Sequence, residues 1–127
     1  MDIQNNTAEV VVSYEVIYIA FAESVNLQGI LQIIDETYSI EAKQQKSFHK
    51  QYDCRQTIHL DIDWNSLKAV AQKLTQIGKE LKHRVAFIVS SEEQMKLILA
   101  YQTFLMHTDI RVGIFFDEKV SQEWLLS

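Results

Sequence analysis

The side chains of this sequence best suited to chemistry are four histidines, one cysteine and a short acidic run. They are His49, His59, His83, His107, Cys54, and Asp61 with Asp63. No two histidines lie three or four residues apart, so no helix face can offer an imidazole pair to a metal, and no His-Glu-x-x-His pattern occurs. His59, Asp61 and Asp63 could approach a common cation. Asp63, however, precedes an amphipathic segment and is placed to cap it, and an oxygen-rich site needs more ligands. Cys54 follows Asp53 and has His59 downstream. A thiol nucleophile needs a lowered pKa, whereas a neighbouring carboxylate raises it, so Cys54 reads better as a small buried hydrophobe. No Gly-x-Ser-x-Gly elbow is present. There is no proline, and the three glycines, Gly29, Gly78 and Gly113, never cluster. Phosphate-cradling loops need clustered glycines, which argues against a P-loop or a Rossmann fingerprint. No catalytic residue, metal or cofactor is expected.

The chain has 127 residues, 47% of them apolar and 23% charged. That is one domain's worth of sequence, residues 1–127, able to bury roughly two-thirds of its unfolded surface. Its formal net charge of −5 opposes nucleic-acid binding, where phosphate contacts supply most of the affinity. A lone cysteine excludes an internal disulfide framework and suits a reducing compartment. The first residues are polar and do not resemble a secretory signal. The longest apolar run, Val16 to Ala22, is far short of the ~20 residues that span a bilayer. A cytoplasmic protein is expected.

Several elements must position these residues. Val10–Val12 and Val16–Phe21 read as two strands joined through Ser13-Tyr14-Glu15. A helix over about Asn26–Tyr38 carries Leu27, Ile30, Leu31, Ile34 and Tyr38 on one face, with Ser24 or Asn26 as its cap. Ile40–Lys50 reads as a polar connection whose Lys43, Lys46, His49 and Lys50 make either a basic patch or a solvated loop. A strand near Phe48–Arg55 follows. The second helix has the stripe Trp64, Leu67, Val70, Ala71, Leu74, Ile77 and Leu81 behind an Asp63 cap. Arg84–Ser90 is a strand apolar enough to be covered on both faces. Ser90 or Ser91, with Glu93 or Gln94, opens a third helix by the capping-box spacing. Ile110–Phe116 is the fifth strand, and Asp117 caps a last short helix. The order ββαβαβαβα implies an α/β fold with a mixed, largely parallel five-stranded sheet and about four helices.

The third helix is apolar over most of its circumference, through Met95, Leu97, Ile98, Leu99, Ala100, Tyr101, Phe104, Leu105 and Met106. A helix on a sheet needs only a stripe of about 100°. Three covers for the excess stay open: the first or last helix, a second subunit, or an apolar cavity with a ligand.

Residues 84–125 resemble the SpoIIAA-like family of small bacterial proteins. The likeness rests on Arg84–Val89, a capped helix, Arg111–Asp117 and the closing Trp124-Leu125, with Ser121 where the family usually has Ala. The resemblance implies a STAS-like fold, compared in turn with the lipid-carrying CRAL-TRIO (Sec14) domain. It implies that Trp124 and Leu125 pack the last helix onto the sheet. Anti-sigma-factor antagonists of this fold are phosphorylated on a serine within Asp-Ser-Ser-Gly or Asp-Ser-Thr-Gly. The matching stretch here, Leu60-Asp61-Ile62-Asp63-Trp64-Asn65-Ser66, has no Ser or Thr at the helix start and no Gly, so that switch is expected to be missing.

The resulting reading is a non-enzymatic binding or regulatory module. It binds an apolar or lipid-like small molecule and associates reversibly with membranes. Trp64, Leu97, Tyr101, Phe104 and Leu105 are expected to line the ligand site. A homodimer or a protein partner is compatible with this reading; nucleic acid is not. The alternative is a protein–protein interaction module resembling an anti-sigma-factor antagonist without the phosphorylatable serine.

Overall fold

The computed structural model describes residues 2–4, 7–77 and 83–127. The chain runs β1 (Asp2–Gln4), β2 (Ala8–Val12), β3 (Val16–Phe21), β4 (Ser24–Asn26), α1 (Leu27–Gln44), β5 (His49–Asp53), β6 (His59–Asp61), α2 (Trp64–Ile77), β7 (Arg84–Ile88), α3 (Glu92–Phe104), β8 (Arg111–Phe115) and α4 (Glu118–Leu125). The large sheet has the order β1-β2-β3-β5-β7-β8. β1, β2 and β3 pair antiparallel, and β3, β5, β7 and β8 pair parallel. The five expected strands thus form the α/β sheet, with the short β1 added at one edge. A separate two-stranded parallel ribbon, β4 with β6, was not expected.

Side-chain alternation splits the strands between two faces. Ile17, Ile19, Tyr52, Val85 and Phe87 point to the face covered by α1, α2 and α3. Val16 and Ala86 point to the other face, where Leu125 of α4 lies on them. Trp124 meets the Phe115 ring at 5.4 Å, so the last helix is pinned to the sheet as the Trp-Leu pair implied. Gly113 makes room for this pair, since a Cβ there would sit 2.7 Å from the Phe115 ring.

The expected caps are present. The Asn26 side chain accepts from the Gly29 N–H at 2.9 Å, Asp63 from the Ser66 N–H at 2.8 Å, and Asp117 from the Lys119 N–H at 2.7 Å. At α3 the Ser91 hydroxyl accepts from the Gln94 N–H. Gln94 reaches back one residue further, its Oε1 accepting from the Ser90 N–H at 2.9 Å. The turn after β2 closes without Asn or Gly because Ser13 donates both its N–H and its hydroxyl to Val16 O.

One boundary and two helix faces are corrected. α1 continues six residues past Tyr38, to Gln44, and ends in a left-handed Gln45. Its buried face includes Ile33, Ile34, Thr37, Ile40 and Glu41, and Tyr38 is left 44% exposed. Ile40 and Glu41 continue the helical period, which draws the start of the expected polar connection into the helix. The basic residues that follow scatter. Lys46 lies over the Tyr14 ring, while Lys50 is buried against Glu41 at 3.2 Å. The stripe of α2 holds for Leu67, Val70 and Ala71, but Trp64 is 58% exposed. The Ile77 side chain and Leu81 lie outside the described residues. The cover over α3 comes from α2 rather than from the first or last helix; Leu99 and Met106 remain outside it. Among the described residues, no helix is long and apolar enough to cross a membrane.

Candidate functional site

The face under α1, α2 and α3 is incompletely filled. Three aromatic side chains, one from each of β3, β5 and β7, stand in a row on it. Phe21 and Tyr52 lie 5.5 Å apart and Tyr52 and Phe87 5.1 Å apart, with planes within 18° and 14° of parallel. Tyr52 and Phe87 are direct partners in the β5–β7 register. Tyr101 comes down from α3 and meets Phe87 edge-on at 5.8 Å. Above this row is a cavity of about 70 Å³. Its walls are Ile30 and Ile34 of α1, Leu67 and Val70 of α2, and Leu97, Ile98 and Tyr101 of α3. Val25, Leu60 and Ile62 close the end formed by the small β4–β6 ribbon. That ribbon therefore gives the cavity an apolar end wall.

Few polar groups reach this wall, and most are committed. Gln94 is buried; its Nε2 donates to Cys54 O at 2.9 Å and Thr57 O at 3.2 Å. The Thr57 hydroxyl donates to Ala22 O at 2.9 Å. Cys54 also lines the cavity. Burial, with Asp53 adding to it, pushes its thiol up to about 12, so it has no nucleophilic character near neutral pH. Burial also holds the Tyr52 and Tyr101 phenols above their ordinary range.

Of the five residues expected at a ligand site, Leu97 and Tyr101 line this cavity. Trp64 and Phe104 pack on each other, ring to ring at 4.9 Å and 67°, where the start of α2 meets the end of α3. Leu105 is 1% exposed and belongs to the core behind α3. Phe21, Tyr52 and Phe87 were missed. The signal for them was an aromatic residue at an inward position near the end of each strand, visible once strand parity is assigned. Gln94 was assigned only a capping role.

The other clusters are occupied by structural contacts. His59 and Asp61 are exposed on β6, and the Asp63 carboxylate is taken up by its cap, where it also accepts from the Ser66 hydroxyl at 2.9 Å. Among the described residues, no three metal-ligating side chains gather. Glu41 accepts from the Phe48 N–H and from Lys50 Nζ, which closes off the buried charge at the opposite end of β5. His83 lies near Lys50 and His49, and its buried Nδ1 has no partner among the described residues; burial first, then the Lys50 charge, pushes its pKa down to about 3.

The sheet is mixed, with three helices on one face and a short tryptophan-bearing helix on the other. The crystal structure of an uncharacterized protein of the DUF3478 family with a SpoIIAA-like fold, from Shewanella loihica PV-4, superposes with a TM-score of 0.65. It covers 98% of both chains at 18% identity. This likeness establishes the SpoIIAA-like fold that residues 84–125 implied. No family model and no curated protein matches the sequence.

Proposed function

We propose that this protein is a non-enzymatic binding module that takes an apolar small molecule into the cavity between the Phe21–Tyr52–Phe87 row and helices α1–α3. The observation that carries this reading is an almost wholly apolar space whose Gln94 and Thr57 side chains are already hydrogen-bonded within the protein. A ligand that fills the cavity takes its apolar wall out of contact with water, worth about 25 cal/mol per Å² covered.

Size sets the next requirement. Sites for drug-sized ligands run to about 300–1,000 Å³, so a lipid-like chain fits only if a wall moves. α2 is the wall best suited to move, because it packs chiefly on α1 and α3 rather than on a strand. The Trp64–Phe104 contact closes one end of it. With its indole exposed at the start of α2, Trp64 is the side chain we expect to meet a bilayer in a reversible membrane contact. Native mass spectrometry of gently purified protein, followed by organic extraction, tests the reading. Near-stoichiometric co-purified lipid or another apolar molecule supports it. A clean apo dimer, with no apolar compound recovered, removes it in favour of an interaction surface.

The fold likeness favours one second reading, a protein-interaction module of the anti-sigma-factor-antagonist kind without its serine switch. Ser66 stands inside the first turn of α2, and its hydroxyl is engaged by Asp63. Incorporation of phosphate at Ser66 on incubation with a kinase of that system and ATP would restore the switch.

A further inference from the structure

We propose that the cavity selects an uncharged apolar molecule bearing one carbonyl or hydroxyl group, which the Tyr52 and Tyr101 hydroxyls hold. The proposal rests on the cavity reading above and specifies what that cavity takes.

Tyr52 and Tyr101 are 8% and 7% exposed, and both line the cavity. No hydrogen bond joins either hydroxyl to another described residue. The Gln94 and Thr57 side chains of the wall have partners, so the two phenols are its unspent strong donors, beside the weak donor of the Cys54 thiol. Each hydroxyl keeps accessible surface, since the buried side-chain polar atom left without a partner among the described residues is His83 Nδ1; the phenols are therefore open to whatever occupies the cavity.

The ring geometry tells where the Tyr52 hydroxyl points. Phe21, Tyr52 and Phe87 are nearly parallel, at centroid spacings too short for rings lying side by side in one plane. Their faces are therefore turned to one another and their edges to the cavity. Strand side chains stand roughly perpendicular to a sheet, which carries the para-hydroxyl of Tyr52 away from the strands and toward the helices. Tyr101 descends from α3 into the same neighbourhood and meets Phe87.

The same geometry excludes charge. No lining residue is ionised, and the nearby Lys50 is neutralised by Glu41 at 3.2 Å. A carboxylate or phosphate would lose its hydration with no counter-charge to replace it. A cation would meet no counter-charge on the wall, and both faces of the central Tyr52 ring are already taken by Phe21 and Phe87. A carbonyl accepts from a phenol; a hydroxyl accepts from one phenol and donates to the other.

The test uses three probes built on one ring: cyclopentane, cyclopentanone and cyclopentanecarboxylate. Each is titrated into the wild-type protein and into Tyr52→Phe, Tyr101→Phe and the double variant, with methyl resonances of Leu97, Ile98 and Ile34 followed by NMR. We expect the ketone and the hydrocarbon to shift these methyls and the carboxylate not to. The ketone-to-hydrocarbon affinity ratio should fall about five- to tenfold in the double variant, the loss expected for a hydrogen bond to a neutral group. A ratio unchanged by both substitutions overturns the assignment while leaving the apolar cavity in place. Tighter binding of the carboxylate than of the ketone also overturns it. If no probe moves the lining methyls, the cavity reading itself falls, and this inference falls with it.

Discussion

The two faces of the sheet are built from the same strands and finished in opposite ways. Under α4, Val16, Ala86 and Leu125 are at most 1% exposed. The fully buried Ser121 hydroxyl donates to Gln51 at 2.9 Å, and Arg84 donates to Trp124 O from beside that ring. Apolar groups there touch apolar groups, and this polar pair is closed. Under α1, α2 and α3, larger side chains leave a void, and two phenols face it without partners. A small helix can seal a sheet face with a few residues, whereas three helices meeting over a row of upright aromatic rings leave space at their junction. The sealed face fixes the fold, and the unsealed face is where a ligand has room.

The sharpest way to break this comparison is to cut one leucine from each side. Leu125→Ala removes a fully buried side chain from a close-packed layer and should cost about 3 kcal/mol in urea unfolding. Leu97→Ala removes a half-buried side chain that already borders empty space, and should cost about 1 kcal/mol. Equal losses would mean that the α1–α3 face is as tightly packed as the other.

Acid should act through the α1–α3 side. His83 is neutral in the folded protein, with its pKa lowered to about 3 from an ordinary value of 6.5. Its unfolded form binds a proton below pH 6.5 and its folded form does not until pH nears 3. Stability contributed by the neutral imidazole is therefore present above 6.5 and is lost as pH falls through that window. The slope is about 1.4 kcal/mol per unit, or about 2 kcal/mol by pH 5. Unfolding free energies at pH 7 and pH 5 measure the difference. In His83→Gln most of that fall should disappear, and a fall as steep as that of the wild type would place the acid sensitivity elsewhere.

Adding volume is the converse of removing it. Ala86→Val inserts two methyl groups under Leu125 and Val16 and should cost about 2 kcal/mol by overpacking. Val70→Leu projects one more methylene from α2 into the cavity and should gain up to about 1 kcal/mol, helped by the better helix propensity of Leu. The same variant should lose affinity for every apolar probe, since it occupies their space. Thermal melts of both variants, paired with one probe titration, decide the matter. A destabilised Val70→Leu would mean that the void has no room to give.

Much of this architecture was legible in the sequence because periodicity reports it directly. The runs Val85–Val89 and Val16–Phe21 are long enough to fix strands. The caps Asn26, Asp63, Ser91 and Asp117 precede periodic segments, so chain direction and helix starts followed. β1, β4 and β6 are three residues each, too short for any period to show. Glu41 and Lys50 looked solvated because each is charged; their burial depends on meeting one another nine residues apart in sequence, a fact of tertiary packing. The candidate site was half legible for a similar reason. Helical spacing exposed the surplus apolar surface of α3 and so found Leu97 and Tyr101. It could not reveal that the opposite wall is made by Phe21, Tyr52 and Phe87, because those three come together only when β3, β5 and β7 are laid in register. Trp64 fitted the α2 stripe by spacing, yet it stands at the first turn, where the helix extends past what it covers.

The smallest expected effect concerns hydroxyl groups, and it separates the two faces most cleanly. Ser121→Ala deletes a fully buried donor whose partner, Gln51, is 3% exposed, and so leaves an amide oxygen unpaired. It should cost about 1–2 kcal/mol. Adding Gln51→Leu to that variant should restore part of the loss, because the stranded acceptor is then gone. Tyr101→Phe deletes a hydroxyl that bonds to no described residue, so stability should change by no more than about 0.5 kcal/mol in either direction. A loss in Tyr101→Phe as large as in Ser121→Ala would mean that the phenol is already satisfied in the ligand-free protein. Its hydroxyl would then be holding the fold together and would not be free to receive a ligand.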